Sequence, residues 1–120
     1  MGILNPSDTC EIKVEKQFER IFAEEEKVVI SYKQIRDLII LTNLRLIIID
    51  KKGVTGRKKV VKSYPLNKIC YFEIENAPYF DIDNEVIIAF TGIKDPLSFT
   101  LSKGTDVYEF SRLLTTYAFR

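Results

Sequence analysis

The side chains best suited to chemistry in this chain are bases. Between Asp50 and Leu66 it reads DKKGVTGRKKVVKSYPL, with Lys51, Lys52, Arg57, Lys58, Lys59 and Lys62 inside twelve positions and no acid among them. Ammonium and guanidinium groups at that density attract phosphate, at about 1 kcal/mol per charge on an anionic membrane surface. On a hairpin the same run can also be a solvated turn whose lysines discourage edge pairing. The formal net charge is only +1, so attraction to an anion must come from this patch and not from the chain as a whole.

A second group is acidic. The stretch NAPYFDIDNE sets Asp81, Asp83 and Glu85 at period two, on one face of an extended segment. Three carboxylates invite a calcium ion, but the turn glycine and the further oxygen ligands of a calcium loop are missing. The expected use is an acidic edge facing solvent or another subunit, with an intermolecular salt bridge to Arg36, Arg45 or the basic run. No metal or cofactor site is expected. The chain has no histidine, no GxxxxGK phosphate cradle and no nucleophile elbow, so the usual general bases and activated nucleophiles are lacking and a non-catalytic protein is expected.

Cys10 and Cys70 stand sixty positions apart without a CxxC, and both read as reduced thiols, with one disulfide between them as the alternative. Cys70 alternates with Phe72 and Ile74, which predicts a small buried side chain. Nucleic acid is disfavoured as a partner: Tyr64, Tyr71, Tyr79 and Phe80 stand near the basic run in sequence, but Tyr64 and Tyr71 fit ordinary strand faces equally well and the charge balance is near neutral.

These residues need elements to position them. From Cys10 to Ala23 the apolar residues Val14, Phe18, Ile21 and Phe22 recur at helical spacing, which predicts a short amphipathic helix ending near Ala23, before Glu24, Glu25 and Glu26. The period then changes to two. EKVVISYK, RDLIILTN, RLIIIDKK, RKKVVKSY, ICYFEIEN, NEVIIAFT and PLSFTLSK give seven strands separated by turn residues. A closing helix follows, capped by Asp106 and striped with Val107, Phe110, Leu113, Leu114 and Tyr117. The expected fold is mainly β: an open barrel of seven antiparallel strands with the last helix at its mouth. All 120 residues are expected to form one domain, with 1–25 as a helical extension and 26–118 as barrel and helix. No apolar run of membrane-spanning length and no signal peptide is present, which predicts a cytoplasmic location.

With strands and helix in this order, the chain resembles the bacterial pleckstrin-homology (YvbH-like) family. The resemblance rests on Ile35-Arg36-Asp37, Thr42-Asn43 with Arg45-Leu46, Asp50 with Gly53 and Thr55-Gly56, then Pro65, Ile69, Glu75, Phe80-Asp81 with Asp83, and Glu85. Leu66 departs from an aromatic that is common after the proline, and Leu44 from a common polar residue. The resemblance implies a pleckstrin-like barrel in proteins that tend to form closed homo-oligomeric rings, often pentamers, and it implies no ligand. The phosphoinositide-binding members of the wider superfamily use a basic first hairpin. Here that hairpin, SYKQIRDL, offers only Lys33 and Arg36 and looks too poorly charged to wrap a headgroup.

Self-association is expected on separate grounds. RDLIILTN and RLIIIDKK are apolar on both faces, more than two helices are expected to cover, so Ile39, Leu41, Ile47 and Ile49, with Asp81 and Asp83, are the expected subunit interface. The function expected is that of a homo-oligomeric interaction or scaffold domain. Its alternatives are peripheral binding to an anionic membrane surface through residues 51–62, and recognition of a protein or peptide partner.

Overall fold

The computed structural model describes residues 13–52, 58–76 and 83–120. Its strands are β1 (Val28–Lys33), β2 (Asp37–Thr42), β3 (Arg45–Lys52), β4 (Lys58–Pro65), β5 (Ile69–Glu75), β6 (Asn84–Phe90) and β7 (Leu97–Leu101), followed by a helix over Val107–Ala118. All seven strands and the closing helix stand where the sequence periodicity puts them. They form two antiparallel sheets, ordered β1-β2-β3-β4 and β5-β6-β7, in two compact units, Met1–Tyr64 and Pro65–Arg120.

In the first unit, β2 and β3 are runs of β-branched and leucine side chains that suit a sheet buried on both sides. Their register pairs Ile39 with Ile48 and Leu41 with Leu46 on one face, and Leu38 with Ile49 and Ile40 with Ile47 on the other. The second face is the one covered by the N-terminal segment: Val14, Ile40, Ile47 and Ile49 form a buried cluster against which Phe18, Ile21, Phe22, Val28 and Leu38 pack. The four apolar residues predicted from helical spacing therefore do share a face. The helix ends earlier than predicted. Among the described residues before β1, 13–17 are helical, and turns continue to Ile21 through Phe18 N–H to the Val14 carbonyl (3.0 Å) and Ile21 N–H to the Phe18 carbonyl (3.0 Å). Beyond the turns the Ile21 carbonyl accepts from Arg45, and the chain reverses through a turn closed by Glu26 N–H to the Ala23 carbonyl (3.1 Å), with Glu25 at φ 68°.

In the second unit, a 3-10 turn at Leu66–Lys68 buries Leu66 and leads into β5. The departure from an aromatic at this position leaves an ordinary core leucine. The final helix buries Val107, Phe110 and Leu114. Phe110 meets Phe99 edge to face at 6.1 Å, and Phe119 stacks on Phe72 at 5.7 Å, distances at which such pairs add to simple burial. Asp106 caps the helix as predicted, its carboxylate accepting the N–H groups of Tyr108 and Glu109 at 3.1 Å each. Asp106→Ala should lower the stability of the chain by about 1 kcal/mol, readable as a shift in the urea midpoint at unchanged slope; no shift would show that the cap contributes nothing.

Candidate functional site

The residues with the densest polar chemistry are not those picked out by charge runs. Glu26 lies at the entrance to β1 with its side chain fully buried, and Arg45 opens β3 with its side chain 24% exposed. The guanidinium forks onto the carboxylate, Nε to Oε2 at 2.9 Å and Nη2 to Oε1 at 3.0 Å. It also donates to the Ile21 carbonyl at 2.5 Å and to Ser63 Oγ at 2.9 Å. Glu26 accepts further from Ala23 N–H at 2.9 Å and from Thr42 Oγ at 2.7 Å. Thr42 Oγ in turn accepts the N–H groups of Leu44 and Arg45, which fixes the two-residue turn between β2 and β3. Asn43 pins the other side, accepting Lys27 N–H at 2.7 Å.

Burial alone would raise the pKa of Glu26, but its hydrogen bonds from Arg45, Ala23 and Thr42, with the attraction of the Arg45 charge, outweigh it and hold the carboxyl below the ordinary glutamate range. Arg45 is thus committed inside its own chain, which corrects its expected role as an intermolecular partner for Asp81 and Asp83. Leu44 at the turn tip is exposed.

The predicted interface residues are also accounted for within the chain. Ile39, Leu41, Ile47 and Ile49 are 1%, 0%, 0% and 1% exposed, and the register puts the first two on the face opposite the last two. A single-chain covering of both faces removes the reason for expecting a partner there. Asp83 is exposed and accepts Lys103 N–H at 2.9 Å, while Asp81 lies outside the described residues.

Of the predicted basic patch, Arg57 and the side chain of Lys52 lie outside the described residues, and Lys58, Lys59 and Lys62 are exposed on β4. Lys59 sits over the Phe18 ring at 5.7 Å, within cation–π range. Cys70 is a free, exposed thiol rather than a buried one. The cause is a bulge: Ile69 pairs with Phe90 and Tyr71 with Ala89, so one extra residue breaks the alternation that would have placed Cys70 beside Phe72.

Lys51 joins a different group. Together with Lys13, Lys33, Arg36 and Asp37 it lines a cleft of about 220 Å³ whose apolar wall includes Val14, Phe18, Leu38 and Ile49. Pairing of Lys33 with Leu38, and of Leu38 with Ile49, puts Lys33, Arg36 and Lys51 on the face that carries the N-terminal segment. On the opposite face of the same strands Asp37 and Asp50 stand directly across from each other. Burial pushes the Asp37 carboxyl up, the neighbouring Asp50 pushes it further, and the charges of Lys62 and Arg36 pull against both.

The second unit carries the acidic counterpart. Glu75 and Glu85 are directly opposed across β5 and β6, Glu73 opposes Ile87, and all three glutamates are exposed. Neither Glu75 nor Glu85 belongs to an ion pair among the described residues. No group of three or more metal-ligating side chains occurs among the described residues, and no helix there is long and apolar enough to cross a membrane.

A family model described as "Bacterial PH domain" matches residues 1–118. The chain is similar to the uncharacterized Bacillus subtilis (strain 168) protein YjqA, 36% identical over 115 residues, covering 94% of this chain and 92% of YjqA. It is also similar to uncharacterized YozO of that organism, 32% identical over 117 residues, covering 98% and 97%. Among solved structures, a DUF1696 family protein with a pleckstrin-homology domain from Shewanella loihica PV-4 superposes with a TM-score of 0.82 at 38% identity, covering 90% of this chain and 92% of that one. A pleckstrin-homology domain from Shewanella amazonensis SB2B gives 0.81 at 36% identity, covering 96% and 93%.

A glutamate whose pKa is depressed by folding stabilises the native state above its unfolded pKa and loses that contribution as pH falls through the folded value. Stability should therefore fall on acidification below the ordinary glutamate value of about 4.5, and Glu26→Gln should remove that component from the pH profile of the urea midpoint. Glu26→Ala, which leaves Arg45 unpaired, should cost about 3–5 kcal/mol at neutral pH. Equal acid sensitivity in wild type and Glu26→Gln would show that the pair carries no linkage.

Proposed function

Since the chain belongs to the bacterial PH domain family, we propose that it is a non-catalytic interaction domain that assembles head to tail with copies of itself into a closed ring and works as a scaffold. The observation that carries this reading is the sorting of charge onto two surfaces. Strand β4 ends the strand order of its sheet, is exposed at most of its positions, and bears Lys58 and Lys62 on one face and, on the other, Lys59 beside a Val61 that is 44% exposed. The solvent face of β5 and β6 bears Glu73, Glu75 and Glu85 beside a Tyr71 that is 49% exposed.

Glutamates directly opposite each other on a sheet repel, and bases from a second molecule relieve that repulsion. A basic strand meeting an acidic face joins two different surfaces, so each copy keeps one of each to offer, and such a contact closes into a ring when its rotation allows. The acidic face also supplies an exposed apolar side chain, Tyr71, to the contact. The setting of this reading is the cytoplasm, in keeping with the free thiol of Cys70.

Light scattering after size-exclusion chromatography should give a closed oligomer at low salt that dissociates at high salt, because screening shortens the Debye length from about 10 Å at 0.1 M to about 3 Å at 1 M. Glu75→Lys with Glu85→Lys should give monomers, as should Lys58→Glu with Lys62→Glu, and mixing the two variants should restore assembly. A wild-type monomer at low salt, or variants that assemble as wild type does, would overturn the scheme.

A further inference from the structure

Asp37 and Asp50 form the first opposed pair of the β2–β3 register, and both are half-buried. Like charges in that position repel, so the pair needs relief. One source is a hydrogen bond between the two carboxyls themselves. It needs a proton, because an ionised carboxylate only accepts. The other source is β4, along which side chains alternate between faces. Lys59 meets Phe18 and Ser63 meets Arg45, both on the face that carries the N-terminal segment. Lys58, Lys62 and Tyr64 therefore stand on the other face, the one that holds Asp37 and Asp50. Lys62 is the cation whose charge weighs most on Asp37; Arg36 comes next, from the face of the N-terminal segment. Tyr32 of β1, paired with Ile39, completes the titratable groups on the aspartate face of this sheet among the described residues.

We propose that Asp37, Asp50 and Lys62 form a proton-operated clasp: with one proton between them the carboxyls tie β2 to β3 directly, and with that proton gone Lys62 becomes their shared counter-charge and is drawn from the basic surface of β4. In the closed pair the Asp37 O–H donates to an Asp50 oxygen. Release of that proton to water leaves two carboxylates beside one ammonium. A lysine suits the part, because its ammonium is a compact charge on a flexible four-carbon stem, and Lys62 is exposed, so neither position requires it to be buried. The linkage has the opposite sign to that of Glu26. Asp37 is held above the ordinary aspartate range, so its contribution to stability is present at acid pH and is lost as pH rises through the folded value. The consequence for assembly rests on the self-assembly reading above. Lys62 is one of the cations offered to the acidic face of another copy, so ionisation of the pair withholds it from that contact and protonation returns it.

A carboxyl-carbon NMR titration of the full chain tests it, carried out in the Glu75→Lys, Glu85→Lys form, which keeps all three groups. Asp37 should titrate above the ordinary value of 3.8. Asp50→Asn should lower its titration point, Lys62→Gln should raise it, and Lys59→Gln on the other face should leave it in place. The Lys62 Cε resonance should move over the same pH interval as Asp37, and should lose that movement in Asp37→Asn. In urea, Asp37→Asn should unfold at a higher midpoint than wild type at neutral pH, with the difference vanishing below the ordinary aspartate value. Asp37→Asn with Asp50→Asn should tighten association of otherwise wild-type copies about twofold or more at neutral pH, the gain of one cross-surface charge pair. The proposal is overturned if Asp37 titrates at or below its ordinary value, if Asp50→Asn leaves that titration unmoved, or if the Lys62 resonance does not follow it. A wild-type chain that stays monomeric would overturn the self-assembly reading alone, since the titration and urea measurements are made on single copies. The Asn and Gln replacements keep side-chain size, so circular dichroism should match wild type throughout.

Discussion

One guanidinium organises the first half of this molecule. Arg45 pairs with Glu26, takes the Ile21 carbonyl and reaches Ser63, so the end of the helical turn, the start of β1, the start of β3 and the strand β4 all meet at a single side chain. Replacing such a pair by well-packed apolar residues often costs little, whereas removing one partner costs much. What the pair supplies is placement. An apolar N-terminal segment could slide along the Ile40, Ile47 and Ile49 surface at small cost, because hydrophobic contact is non-directional. A bidentate ion pair with a buried carboxylate cannot slide, and it sets where Val14 and Lys13 stand relative to the sheet.

That constraint also explains which parts of the molecule were legible in the sequence. Strand positions were legible because alternation is a local property: LSFTL and ICYFEIE announce their faces without reference to any other segment. The Asp106 cap was legible for the same reason. The Glu26–Arg45 pair was not, since its partners are nineteen positions apart and Glu26 read as one of three acids behind a helix. Thr42-Asn43 with Arg45 was visible as a family-like pattern, but its meaning lies in a carboxylate outside the pattern. Cys70 was misplaced by a single bulge residue, which inverts every inside-outside assignment on its N-terminal side. The basic cleft was half visible. Lys33 and Arg36 stand in the hairpin, while Lys13 and Lys51 arrive through the helical turn and the strand register.

The fate of the apolar strands is instructive in energetic terms. Both faces of β2 and β3 are rich in isoleucine and leucine, and such faces need cover. The N-terminal segment covers the Ile40 and Ile47 face with Val14, Phe18, Ile21 and Phe22, a larger apolar contribution than its short helical part suggests, because turns beyond residue 17 continue the contact. Hydrophobicity of these strands therefore reports the core and carries no information on partners. Information about partners lies in what the core leaves outside: unrelieved like charges, and apolar side chains that the fold did not bury.

A formal net charge of +1 conceals how those outside charges are divided. Bases gather at β4 and at the β1–β2 hairpin, and acids gather on β5 and β6. Cyclic symmetry would give this division a consequence that no single copy has. Every copy in a ring stands at the same tilt to the axis, so equivalent hairpins all point the same way along it and meet one plane together. A contact made by one such surface on one copy is weak and readily reversed by itself. Repeated on one rigid assembly, each further contact is made at the high effective concentration set by the first, and binding strengthens by orders of magnitude with no new interaction. Assembly and binding of a partner would then be coupled in both directions: a partner that gathers copies favours the ring, as linkage requires of any ligand that prefers one state.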